Sequence, residues 1–178
     1  MRFRRLLLTG GIALVTACST LRTSVDYDRS LDFSRYKTFG FGRGTPARRS
    51  FTQKRIEEVI ASALRSKGLT SVHDERPDLR VYTHVVLENQ QRIDTVVYGY
   101  GWRWGGGIAT TIVTNVPVGT LVVDLVDTES KELVWRSQAT DTIDRESEAR
   151  DEQLRNAVSE MFEGFPVKPE SKGSTRER

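Results

Sequence analysis

Apolar residues recur at two different spacings along this chain. After Ser50 they fall at Ile56, Val59, Ile60, Ala63 and Leu64, the i, i+3, i+4, i+7, i+8 pattern of one buried helical face. Ser50 with Gln53 three residues later predicts a capping box at the start of that helix. Lys67 and Gly68 supply a basic last turn and a glycine stop. The same spacing returns at Leu154, Ala157, Val158, Met161 and Phe162, which predicts a second helix from about Ser147 to Glu163, stopped by Gly164 and Pro166.

Elsewhere the period is two. Tyr36–Phe41, "YKTFGF", alternates aromatic with small or polar residues and reads as a strand. After Pro77-Asp78, the stretch "LRVYTHVVLEN" puts Leu79, Val81, Thr83, Val85 and Leu87 on one face and Arg80, Tyr82, His84 and Val86 on the other. Ile93 to Gly107 reads as an extended arm of the same sheet. "TLVVDLVD", Thr120–Asp127, is a β-branched strand, "TESKE" a turn, and Leu133–Ile143 the return strand of a hairpin. The polar segment Thr20–Ser34 reads as a tether leading into a first strand. The order β-α-β-β-β-β-α predicts an α+β fold, an antiparallel sheet with two amphipathic helices packed on one face. One domain, residues 25–166, accounts for it, followed by a charged, disordered tail at 167–178.

The N-terminus changes the picture. Arg2, Arg4 and Arg5 precede the ten-residue apolar run "LLLTGGIALV", Leu6–Val15. That run is shorter than the roughly 20 residues of a spanning helix and suits a cleaved export signal. "VTAC" follows, with Ala17 immediately before Cys18, the only cysteine. This resembles the lipobox of bacterial lipoproteins, in which the cysteine thiol is diacylated, the signal is cut before that cysteine, and the new N-terminus is usually acylated too. An ordinary signal peptide fits "VTA" as well, and would leave Cys18 as a free thiol in an oxidising compartment. The lipoprotein reading divides the chain into a signal at 1–17, a lipid-anchored tether at 18–24 and the domain. Ser19 after the cysteine favours the outer membrane, by resemblance to a sorting rule of enteric bacteria. The formal charge of +3 then loses its meaning, because without the three signal arginines the remaining 24 basic residues balance the 24 acidic ones. Nucleic acid is not an expected partner.

Chemistry is sparse. "YGYGWRWGGG", Tyr98–Gly107, is the densest candidate, with Tyr98, Tyr100, Trp102 and Trp104 on one side of a strand and Arg103 on the other. Such a stripe can be core, a stacking platform for a ligand or partner, or a lipid-interface contact. His73 and His84 lack the partners of a zinc site. Asp26, Asp28 and Asp32 lack the spacing of a calcium loop and read as turn acids. Asp124 and Asp127 face opposite sides of one strand, poor geometry for shared acid–base work. Arg43, Arg48, Arg49, Lys54 and Arg55 read as a solvated loop and helix face, with anionic lipid headgroups as the other reading. No catalytic residue, metal or cofactor is expected.

"VDYDRSLDFSRYKTFGF" after a lipobox, "PDLRV", the Tyr/Gly/Trp run, "GTLVVDLVDTESKELVWRSQAT" and "AVSEMFEGFP" together resemble the bacterial lipoprotein family called domain of unknown function 4136. The resemblance covers about Val25 to Pro166. It implies an envelope lipoprotein with an α+β domain and carries no catalytic residues. The expectation is therefore a non-enzymatic lipoprotein held to a membrane by acylated (palmitate-bearing) Cys18. Its role would be binding or scaffolding, with peptidoglycan, a polysaccharide or another envelope protein as partner. The alternative is a glycan-binding or glycan-modifying protein using the Tyr98–Trp104 stripe.

Overall fold

The helical spacing after Arg49 forms α1, Ser50–Ser66, and the one before Gly164 forms α2, Ser147–Glu163. A computed structural model of the chain describes residues 20–73, 76–99, 107–143 and 146–166. Among them the strands are β1 (Arg22–Tyr27), β2 (Thr38–Phe41), β3 (Thr70–Ser71), β4 (Leu79–Gly99), β5 (Gly107–Asp127) and β6 (Leu133–Thr142). The last three residues of the expected tether, Arg22 to Ser24, already belong to β1, paired with Thr140 to Gln138 of β6.

The α1 ends differ in how closely they follow the sequence. The expected capping box is absent: Arg49 is the N-cap and makes no side-chain capping bond. Gln53 instead accepts from the Ala47 N–H at 2.9 Å and donates to the Thr83 hydroxyl at 3.0 Å, tying the incoming loop to the sheet. At the other end Gly68 takes φ +93°, and Leu69 N–H returns to Leu64 C=O. That is the glycine-dependent reversal the sequence predicts.

The sheet runs β1-β6-β5-β4-β2-β3 and is mixed, not purely antiparallel. β2 pairs parallel with both β3 and β4. The reason is connectivity. A tight turn makes neighbours antiparallel, but the chain leaves β2 through α1 before it returns, and such a crossover restores the direction. The two-residue β3 gives no periodic signal and was not expected.

Register puts Leu79, Val81 and Thr83 of β4 beside Leu125 and Val123 of β5, and these beside Trp135 and Ser137 of β6. All are buried, and the apolar ones meet Ile56, Ile60 and Leu64 of α1 and Val158, Met161 and Phe162 of α2 in one cluster. Both helices therefore cover the same face, as expected. A bulge between Leu125 and Val126 lets Val134 and Trp135, consecutive residues, both be buried. Trp135 stacks on Phe162 with ring centres 4.7 Å apart, and Phe165 closes edge-on at 5.5 Å.

Candidate functional site

β4 and β5 pair in register at every position from Leu79↔Asp127 to Gly99↔Gly107. Their neighbours are shorter. β6 follows β5 only between Val118 and Val126, and β2 follows β4 only at Leu79–Val81, with a single further bridge from Thr45 to His84. Pro117 marks the departure of β6, since it has no N–H to offer there. Beyond Leu87 and Gly119 the two strands continue as a two-stranded arm of about 40 Å, at roughly 3.4 Å per residue. Residues 86–96 and 110–115 along it are exposed, including Ile93 (64%) and Val113 (56%).

The arm carries the sequence candidate at its far end. Tyr98 pairs with Ile108 and Gly99 with Gly107. Tyr100, Trp102, Arg103 and Trp104 lie outside the described residues, as does Cys18, the expected lipidation site. The sequence reading of an arm from Ile93 to Gly107 is extended by the structure at both ends. The strand begun at Leu79 runs unbroken to Gly99, and Gly107 opens a strand that continues through Thr120–Asp127.

The first described residue meets the arm at its root. Thr20, two residues after Cys18, donates its hydroxyl to Asp141. Asp141 pairs with Gly119, where the arm leaves the sheet. Thr20, the first described residue, therefore lies at the end of the sheet that bears the arm.

Two polar groups lie on the body of the sheet. On the face away from the helices, Arg136 donates two hydrogen bonds to Asp124, both 2.6 Å. Those bonds, then the charge of Asp124, hold the guanidinium further above its already high value. His84 Nε2 stands 3.5 Å from the same carboxylate, and its Nδ1 accepts from the Thr45 N–H at 3.3 Å and faces the Thr45 hydroxyl at 3.1 Å. This row fastens the 42–47 loop to β4. The loop passes so close that a Cβ on Gly44 would stand 2.1 Å from the Thr83 carbonyl oxygen.

At the end of the sheet opposite the arm, an open cleft of about 580 Å³ is lined by Arg35, Tyr36, Arg76, Asp78, Asp127 and Lys131 among others. Asp127 is buried there, which alone would raise its pKa. The N–H of Ser130, the Tyr36 hydroxyl at 2.9 Å and the N–H of Glu129 outweigh burial, with Arg35, and hold the carboxyl below the ordinary aspartate range. Tyr36 is pushed up to about 12 by burial first and Asp127 second. Partial desolvation alone would raise the more exposed Asp78 as well. It is held low by the Lys37 and Thr38 N–H groups it accepts, both at 2.8 Å. Asp124 and Asp127 thus stand on opposite faces, each engaged by its own donors. Asp28 and Asp32 serve turns, accepting from Ser30 and Ser34. Arg55 of the basic block pairs with Asp151 of α2. The sequence reading missed the Tyr36–Asp127 and Asp124–Arg136–His84 groups. Periodicity assigned their faces, but the partners come from strands far apart in the chain.

The profile of the family described as domain of unknown function (DUF4136) matches residues 23–167. The chain belongs to this family. No curated protein matches it in sequence. Its fold is similar to that of a PDZ domain protein from Parabacteroides distasonis, with a TM-score of 0.55, 19% identity and coverage of 83% of this chain. The chain spans only 35% of the length of that structure. A PelC dodecamer from Paraburkholderia phytofirmans is similar with a TM-score of 0.47 and 14% identity, over 80% of this chain and 97% of that one. Among the described residues no helix is long and apolar enough to cross a membrane.

Proposed function

We propose that this family member is a lipid-anchored envelope protein without catalytic activity, and that the β4–β5 arm is its binding element. The observation that carries this reading is the arm itself. Its strands leave the packed sheet and are exposed over residues 86–96 and 110–115, and the aromatic–glycine run joins them in the sequence. An exposed ribbon of this length adds little to the stability of its own domain, so a role in contact with a partner accounts for it better than a role in the core. Acylated Cys18, two residues before Thr20 in the sequence, ties the domain to the membrane. The carboxylates of Asp78, Asp124 and Asp127 are engaged by backbone N–H groups, Tyr36 or Arg136, which favours structural work over acid–base chemistry. The partner is an envelope macromolecule, and Tyr98, Tyr100, Trp102, Arg103 and Trp104 form the contact.

Two measurements test the two halves of this reading. Labelled palmitate is expected to enter the full chain, and Cys18→Ser is expected to lose both label and membrane sedimentation; retained label would refute the anchor. In soluble Cys18→Ser protein, acrylamide is expected to quench Trp102 and Trp104. Trp135, fully buried, supplies the shielded background and is isolated in Trp102→Phe/Trp104→Phe. Protection by muropeptides or polysaccharide fragments would make the glycan reading the correct one. Protection only by an envelope extract treated to remove glycan would make the partner a protein. Tryptophans shielded from the start would remove the contact role.

A further inference from the structure

The two edges of the arm are chemically unequal. The Pro117 carbonyl accepts from the Ile143 N–H at 2.8 Å, so it points toward the β6 side. Backbone groups alternate sides along a strand. The N–H and C=O groups of Asn115, Val113 and Thr111 therefore point to that same side, past the end of β6, and no described strand pairs with them. On the other edge Val85 N–H donates to Thr45 C=O at 3.1 Å, so Leu87, Asn89, Gln91, Ile93 and Thr95 present their backbone groups outward.

Charge separates the two. From Leu87 to Gly99, β4 carries Glu88, Arg92 and Asp94, with Arg92 and Asp94 3.4 Å apart. From Gly107 to Gly119, β5 carries no charged residue at all. Edge strands that stay single are protected by charge, bulges or cover. The β4 edge has that protection and the exposed β5 edge, rich in Thr, Ile and Val, does not.

We propose that two copies of the chain pair through the β5 edges of their arms, antiparallel about a two-fold axis at Val113. The register follows from the backbone alternation. Val113 meets Val113 of the second copy, Thr111 meets the second copy's Asn115, and Ile112 meets the second copy's Thr114. No charge opposes another at any of these positions. The edge is complementary to itself, which a two-fold axis requires, and the pairing closes at two copies because the charged β4 strands become the outer edges. The product is a continuous four-stranded ribbon, β4-β5-β5-β4, projecting between two domains. It depends neither on acylation of Cys18 nor on the ligand of the aromatic run.

The test uses the mature chain with Cys18→Ser, which has no other cysteine. Sedimentation equilibrium from micromolar to several hundred micromolar is expected to give twice the chain mass. Val113→Cys is expected to link the two copies with a short bismaleimide. Ile93→Cys, which sits directly across on β4 and so one strand farther from the axis, is expected to stay unlinked. Val113→Lys places like charges together at the axis and is expected to raise the dissociation constant at least about tenfold. Its circular dichroism and melting at monomer concentrations should be unchanged, because the Val113 side chain is exposed in the single chain. A monomer at every concentration would overturn the proposal. So would linkage at Ile93 equal to that at Val113, a dimer indifferent to Val113→Lys, or masses beyond the dimer, which require the β4 edge.

Discussion

Trp135→Ala is expected to lower the unfolding free energy by about 4 kcal/mol, in the range for large aromatic truncations in a core. Trp135 has no exposed surface, stacks on Phe162 and meets Phe165 edge-on. It is the place where α2, the residues just after it and β6 share contacts, so its loss loosens the helix from the sheet as well as leaving a cavity. Trp135→Phe separates the two effects. The indole Nε1 is buried and has no hydrogen-bond partner among the described residues. Phenylalanine keeps most of the stacking and removes that unmatched donor, which itself carries a cost. The expected loss is under about 1.5 kcal/mol. Urea unfolding followed by far-ultraviolet circular dichroism measures both. Equal losses for the two variants would show that the indole itself, and not the volume or stacking that phenylalanine keeps, governs the site.

Asp127→Ala is expected to cost about 3 kcal/mol, since it removes charge-assisted hydrogen bonds and strands buried donors. The carboxylate accepts from the Tyr36 hydroxyl at 2.9 Å, Glu129 N–H at 2.8 Å and Ser130 N–H at 3.1 Å. It thereby holds both the β5–β6 turn and the 3-10 turn at Phe33–Arg35. The half-exposed Arg35, 3.5 Å away, adds little. The pH dependence follows from the lowered pKa of Asp127. A carboxyl depressed by folding contributes its stability in full above the unfolded pKa, and that contribution is lost as the pH falls through the folded value. Wild type should therefore lose stability on acidification below about pH 4. Asp127→Asn should show a shallower acid limb and not a flat one, because Asp78 is depressed in the same way. An acid limb identical in the two proteins would remove Asp127 as its source.

Much of this was legible in particular residues. The helical faces of Ile56–Leu64 and Leu154–Phe162, the alternation of Leu79–Val85 and the hairpin around "TESKE" each carry their own period. The two helices and the return strand formed with nearly the expected bounds, while Leu79–Asn89 and Thr120–Asp127 became parts of longer strands. The capping box at Ser50 did not form, because Gln53 found Ala47 and Thr83 instead, partners no local pattern reveals. Of the two halves of the arm, the sequence reading covered Ile93–Gly107 as an extended arm and left 108–119 without a reading. The fusion into strands of 21 residues was not legible, because Glu88–Asp94 and Pro117 break the alternation without breaking the pairing.

By itself, then, the sequence determined which segments are helical or extended, which side chains face the core, the α+β class, and membership of a family through motifs spread over the domain. These rest on local periodicity and on residue identity. Only the tertiary structure decided the parallel pairing of β2 with β3 and β4, the meeting of Tyr36 with Asp127 and of His84 with Asp124 and Arg136, and the length of strand left without a neighbour. It also decided that the chain's first described residue and the arm share one end of the sheet. Each of these depends on which strand lies beside which and in what register. That is a balance of contacts between residues dozens of positions apart, and a period of two or 3.6 carries a residue's face but not its neighbour.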